Sequence, residues 1–282
     1  MNQIIFLFLI NLIVWPVVAV KPVDDVQPLN ALAGDEKSAR VKIAYQPRDA
    51  RPFARLINYQ PSFLNDVDDD DQDGVPNKWD AHPLGGDPML NRIFYLPNQS
   101  LQLQLPYDYY HYQIINKPRT FTHEFGNLTD FVTPTETLIY YIVGRQLQNE
   151  GLTELDHIQY FVTLAQSIDY LGDEETSFLE YPKYPVETLI DGVGDCEDSS
   201  FVLASLLLAY QQKTGADFKV VLLRYPKHLA VGLGLKEPLL NTVPALTENG
   251  YNYYHLETTN DKWSFGEQPT HLEKEEIIVH KL

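Results

Sequence analysis

Between Phe201 and Ala209 the chain reads Phe-Val-Leu-Ala-Ser-Leu-Leu-Leu-Ala, apolar on nearly every side of a helix. A surface helix keeps one polar face, so this pattern predicts a central helix. Asp195 precedes it as an N-cap, with Asp198 three residues on. Upstream, Arg92–Leu96 and Leu101–Leu105 predict short strands, the second alternating Leu-Gln-Leu-Gln-Leu with one buried face. Thr133-Pro134-Thr135-Glu136 combines an N-cap, a first-turn proline and a capping-box glutamate. It predicts a helix to about Glu150, stopped by Gly151. A second helix begins at Thr153 and sets Leu155, Ile158, Phe161, Val162 and Ala165 on one face, toward Ile168. Beyond the central helix the period changes to two, which predicts strands over Phe218–Arg224, His228–Leu235, Tyr251–Thr258 and Glu275–His280. Helices first and strands afterwards indicate an α+β fold, with an antiparallel β-sheet packed on the central helix.

The N-terminal pattern is different. Residues 4–20 are almost uninterruptedly apolar and end with small residues at Val17 and Ala19. They read as a secretory signal peptide over residues 1–19, cleaved after Ala19, which leaves no membrane span. An uncleaved anchor is the alternative, against which Pro16 and the short length weigh. The mature chain is therefore expected outside the cytoplasm, periplasmic or secreted. Residues 20–64, rich in Pro, Asp and Arg, form a loosely structured lead-in. A net charge of −18 argues against a nucleic-acid-binding surface, which needs clustered Lys and Arg. With 44% hydrophobic residues and 18 tyrosines the 282-residue chain has ample material for a core.

Residues 65–91 contain an acidic run with an internal register. Asp69, Asp71 and Asp73 would supply side-chain oxygens, Gly74 the turn, Val75 a carbonyl, Asn77 a direct or water-mediated ligand and Asp80 the closing group. That order fits a twelve-residue calcium loop, and its oxygen donors suit one structural Ca²⁺ rather than zinc; a solvated acidic linker is the alternative. The run resembles EF-hand-like loops and the Asp-rich repeats of thrombospondin type 3.

The chain has one cysteine, Cys196, so no intramolecular disulfide can form. It follows Gly192-Val-Gly194-Asp195 and opens the central helix, where the positive end of the helix dipole is expected to lower the thiol pKa; the alternative is a small hydrophobic residue that fills the core. A cysteine nucleophile needs a base and a group that orients it. His228 opens a strand just after Tyr225-Pro226-Lys227, and Glu257 lies near the end of the strand that follows. Ala230 and Gly232 share the His228 face by period-two counting and are expected to let the sheet approach the cysteine helix. His255 competes for the base, because it shares a strand face with Glu257.

Taken together, Glu180-Tyr-Pro-Lys-Tyr-Pro-Val-Glu-Thr-Leu, Gly192-Val-Gly-Asp-Cys196-Glu-Asp, Lys227-His228-Leu-Ala-Val-Gly and Tyr254-His-Leu-Glu257-Thr-Thr resemble the transglutaminase-like superfamily. Trp263 with Phe265-Gly-Glu-Gln-Pro269 resembles the segment that follows the acidic position in bacterial and archaeal members. The resemblance covers residues 92–282 and implies a papain-like cysteine-peptidase fold. It makes Cys196 the nucleophile, His228 the base and Glu257 the orienting acid, where the superfamily often has Asp. The activity it implies is a cysteine protease, amidase or acyltransferase acting on a protein or peptide amide. The alternative is a non-catalytic, calcium-dependent binding or structural module of the same fold.

Overall fold

The computed structural model describes Gly86 and residues 88–97, 99–117, 128–173, 181–239, 242 and 244–282. The segments expected to be a signal peptide, a lead-in and the calcium loop Asp69–Asp80 lie outside the described residues. Strands β1 (Met89–Leu96) and β2 (Gln99–Pro106) pair as an antiparallel hairpin. The alternation in β2 is realised, with Leu101, Leu103 and Leu105 buried and the glutamines exposed. Helix α1 (Tyr107–Asn116) follows directly, although its run of tyrosines and a histidine carries no helical signal of its own. Packing of Tyr109 and Tyr110 into the core overrides that local preference.

A 3-10 turn at Leu128–Phe131 leads to α2 (Thr137–Gln146), which is shorter than expected and begins later. The capping box expected at Thr133 and Glu136 does not form. Glu136 is itself the N-cap residue, and its carboxylate pairs with Lys117 instead. The Thr133 backbone N–H donates to Ser205 Oγ at 2.9 Å, so tertiary contacts take the groups a local cap would have used. Helix α3 (Glu154–Gln166) starts as expected beside Thr153, which caps it in a capping box with Asp156. Ile158, Phe161, Val162 and Ala165 are buried as predicted, but Leu155 is 46% exposed in the first turn. A two-residue strand β3 (Asp169–Tyr170) runs parallel to β4 (Val193–Gly194), beyond the short helix α4 (Pro185–Asp191).

Helix α5 (Cys196–Thr214) is the central helix. Phe201, Val202, Leu203, Leu206 and Leu207 are completely buried on it, each worth on the order of 1.5–3 kcal/mol of burial. The Asp195–Asp198 capping box starts it and Gly215, in the left-handed conformation, ends it. Strands β5 (Lys219–Tyr225), β6 (His228–Leu235), β7 (Leu246–Glu248), β8 (Tyr251–Leu256) and β9 (Ile278–Lys281) form an antiparallel sheet ordered β7-β8-β6-β5-β9. This is the expected α+β arrangement of a helix on an antiparallel sheet. The β7–β8 hairpin was not anticipated, though Asn249-Gly250, both at positive φ, is a two-residue turn signal.

The face of β6 that meets α5 is not the predicted one. Leu229, Val231 and Leu233 join the core around α5, while Ala230 packs with Val221, Leu223, Tyr225 and Tyr253 on the opposite face. Period-two geometry allows either face, and the bulk of Leu229, Val231 and Leu233 selects the one that fills the larger core. The glycines make room elsewhere: a Cβ at Gly232 would lie 2.6 Å from the Val221 side chain, and one at Gly234 2.6 Å from the Tyr253 ring. No helix among the described residues is long and apolar enough to cross a membrane.

Candidate active site at the start of the central helix

The approach to Cys196 is built from close contacts rather than from flexibility. Gly192 closes α4 at φ 70, and a Cβ there would strike the Arg92 guanidinium at 2.4 Å. Arg92 Nε donates to the Ile190 carbonyl at 3.0 Å, which ties the β1–β2 hairpin to this turn. At Gly194 a Cβ would lie 2.6 Å from Asp198 Cβ. That clearance lets Asp198 fold back as the reciprocal partner of the N-cap. Asp198 also accepts from the Lys183 backbone N–H at 2.7 Å, with Lys183 Nζ 3.8 Å away. The Lys183 ammonium in turn donates to the Val193 carbonyl at 2.9 Å.

The first turn of α5 is laced to the ends of two strands. Ser200 Oγ donates to the Leu229 carbonyl at 3.1 Å, and the Leu229 amide faces the Cys196 sulfur. Leu229 is the residue after His228. Ser199 Oγ and Thr258 Oγ1 share a hydrogen bond at 2.7 Å, and Thr258 is the residue after Glu257. Fixed backbone positions therefore bring the start of α5, the start of β6 and the end of β8 to one place.

Beside that junction, His228 Nε2 and Glu257 Oε2 are hydrogen-bonded at 2.8 Å. The same carboxylate oxygen meets His255 Nε2 at 3.1 Å. Glu257 Oε1 accepts from the backbone N–H groups of Thr258 and Thr259, at 3.0 and 3.1 Å, and from Thr259 Oγ1 at 2.8 Å. Gln166 reaches across from α3 to the Glu257 carbonyl at 2.9 Å. Burial alone would raise the Glu257 pKa. The hydrogen bonds from His228 and His255, the charge of His228 and the Thr259 hydroxyl outweigh burial and hold the carboxyl well below its usual range. An ionised carboxylate only accepts, so His228 presents Nε2–H to it and keeps Nδ1 for another partner.

The environment of the thiol departs from expectation. The dipole argument predicts a lowered pKa, yet burial pushes the Cys196 thiol far up, and the charges of Glu197 and Asp195 add to the rise. Its S–H donates to Glu197 Oε2 at 3.1 Å. The neighbouring acids are displaced as well. Asp195 is raised by burial and then by the Glu197 charge, Glu197 by burial and the Asp198 charge, and Asp198 by burial and the Asp195 charge against the opposing Lys183. Asp173, Asp195 and Glu197 place one carboxylate oxygen each within 4.8 Å of one another, a set of oxygen donors of the kind hard cations take. His228, His255 and Glu257 form a second such group, with nitrogen donors suited to transition metals.

His255 is fully buried with both ring nitrogens engaged, Nδ1 lying 3.0 Å from Tyr225 Oη. It is thus enclosed in the sheet, whereas His228 is partly exposed. Tyr184 is a packing residue, its ring tilted against Phe131, and Tyr181 Oη donates to Glu187 Oε1 at 3.0 Å. Sequence reasoning did not reach Ser199, Ser200, Thr258, Thr259 or Asp173. Small hydroxyls near a helix start carry no signal until the strands they bond are placed. No family model matches the chain, and neither does any curated protein or solved structure.

Proposed function

We propose that the chain is an exported cysteine hydrolase or acyltransferase of transglutaminase-like type, acting on a protein or peptide amide through Cys196, His228 and Glu257. The observation that carries this reading is the 2.8 Å His228–Glu257 bond at the junction where Ser200 and Ser199, in the first turn of α5, hydrogen-bond Leu229 and Thr258, the neighbours of those two residues. In this mechanism His228 Nδ1 takes the Cys196 proton as the sulfur attacks the substrate carbonyl carbon. Glu257 holds the Nε2–H and balances the imidazolium that forms. The backbone N–H of Cys196, at the first position of α5, has no intrahelical acceptor and is placed to donate to the oxyanion. Collapse of that intermediate breaks the C–N bond, and His228 returns the proton to the leaving amine. The thioester then passes to water or to an amine, giving hydrolysis or transamidation. The papain-like character of the fold and a structural calcium at Asp69, Asp71, Asp73, Val75, Asn77 and Asp80 belong to the same proposal.

A second reading has its own support. Burial and flanking carboxylates disfavour the Cys196 thiolate, which suits a non-catalytic, calcium-dependent binding or structural module. Alkylation of Cys196 across pH, with turnover of peptide amides by the wild type, Cys196→Ala and His228→Ala, separates the two. The catalytic reading expects labelling of the folded protein and loss of turnover in both variants. A thiol that labels only on unfolding, or normal turnover by Cys196→Ala, refutes it.

A further inference from the structure

The site contains more hydrogen-bonding structure than three residues require. Glu257 is one methylene longer than aspartate, and the reach puts its Oε2 between two imidazoles, 2.8 Å from His228 and 3.1 Å from His255. Oε1 is meanwhile anchored by Thr258 and Thr259. Behind His255 the chain of contacts continues. Gln268 Nε2 donates to Tyr225 Oη at 3.3 Å, and Tyr225 Oη lies 3.0 Å from His255 Nδ1. With its oxygen accepting from Gln268, the phenol has its own hydrogen to give. His255 Nδ1 is the acceptor in reach, and that bond sets His255 Nε2–H toward Glu257. Every donor and acceptor then has a partner of the right kind, as a buried polar network requires.

We infer that Tyr225 and His255 are positioning residues, which hold the Glu257 carboxylate oxygen fixed from behind so that His228 keeps a single ring orientation. The inference rests on the catalytic reading of Cys196, His228 and Glu257. Neither residue touches the reacting atoms. Each acts through Glu257, and one shared acceptor makes the two histidines respond to each other.

Two measurements on the full chain test this. Long-range ¹H–¹⁵N NMR of the unsubstituted protein reads the His255 tautomer directly and depends on no variant folding. Nε2–H with a bare Nδ1 is expected. Nδ1–H overturns the inference, because His255 would then offer no proton to Glu257. The second measurement is the pH profile of Cys196 alkylation by iodoacetamide. His255→Leu should slow it about tenfold, the worth of one hydrogen bond to a charged acceptor. His255→Gln, whose carboxamide N–H can reach Glu257, should restore most of the rate, and Tyr225→Phe should shift His255 to a mixture of tautomers. A purely structural role would leave the profile unchanged in folded His255→Leu, and that result overturns the inference. Glu257→Gln and His228→Gln serve as references. If both label like the wild type, the catalytic reading falls and takes this inference with it. If both slow labelling while His255→Leu does not, the positioning inference falls alone.

Discussion

Replacing Glu257 by glutamine is the most informative single substitution in this protein, because it keeps the shape and removes only the charge and acceptor capacity. Each carboxylate oxygen now faces donors exclusively: two imidazole nitrogens at Oε2, and two backbone N–H groups and a hydroxyl at Oε1. A glutamine NH₂ must therefore confront donors whichever way it is turned. At least two bonds to a charged acceptor are lost, at about 1.5–3 kcal/mol each, which puts the destabilisation at about 3–6 kcal/mol. That is a large part of the ~5–15 kcal/mol that stabilises a typical domain. Urea unfolding followed by fluorescence should show a lower midpoint with an unchanged slope. Below that midpoint, the proposed mechanism expects turnover to fall by about 10²–10⁴-fold, because the imidazole would lose the group that orients it. Glu257 also sets a pH dependence. Its folded pKa lies below the ordinary 4.5, so its contribution to stability is complete above that value and is lost as the pH falls below it. A Glu257→Gln protein with wild-type midpoint and labelling would refute the network described here.

The acids around the thiol carry the opposite sign. Asp195, Glu197 and Asp198 are raised, so their contribution is full below the ordinary carboxylate range and is lost as the pH rises above it; Asp195→Asn, which retains a good N-cap, should flatten that loss in unfolding curves taken across pH. Glu197→Gln removes a negative charge and an acceptor beside the sulfur, so the Cys196 alkylation profile should move to lower pH, and an unmoved profile would mean that burial alone holds the thiol. Gly194→Ala should destabilise by about 1–3 kcal/mol in the same unfolding assay, since its Cβ meets the buried Asp198 at 2.6 Å. For the acidic run, calorimetry at millimolar calcium should detect one bound Ca²⁺ and Asp73→Ala should abolish it; no heat from the wild type would reduce Asp69–Asp80 to an acidic linker.

Much of the scaffold was legible in the chain because its signals are local. The Asp195 cap, the start of α3 beside Thr153, the all-round apolar run of α5, the alternation of β2 and the bounds of β6 each depend on contacts within a few residues, and each is found where the pattern places it. The order of Cys196, His228 and Glu257 was legible for the same reason: each stands at an element's end. Local signals failed where a distant partner competed for the same groups. Glu136 pairs with Lys117 instead of capping, and Leu155 faces outward because the helix turns other residues to the core. Only the tertiary structure decided which face of β6 meets α5, since period two allows either and the bulk of Leu229, Val231 and Leu233 selects one. It also brought Gln166 to Glu257 across 91 positions and His255 to the carboxylate it shares with His228. The thiol shows the division most clearly. Its place at a helix N-terminus is written in sequence, but the balance of burial and carboxylate charge that opposes the dipole depends on how closely the whole core closes around it.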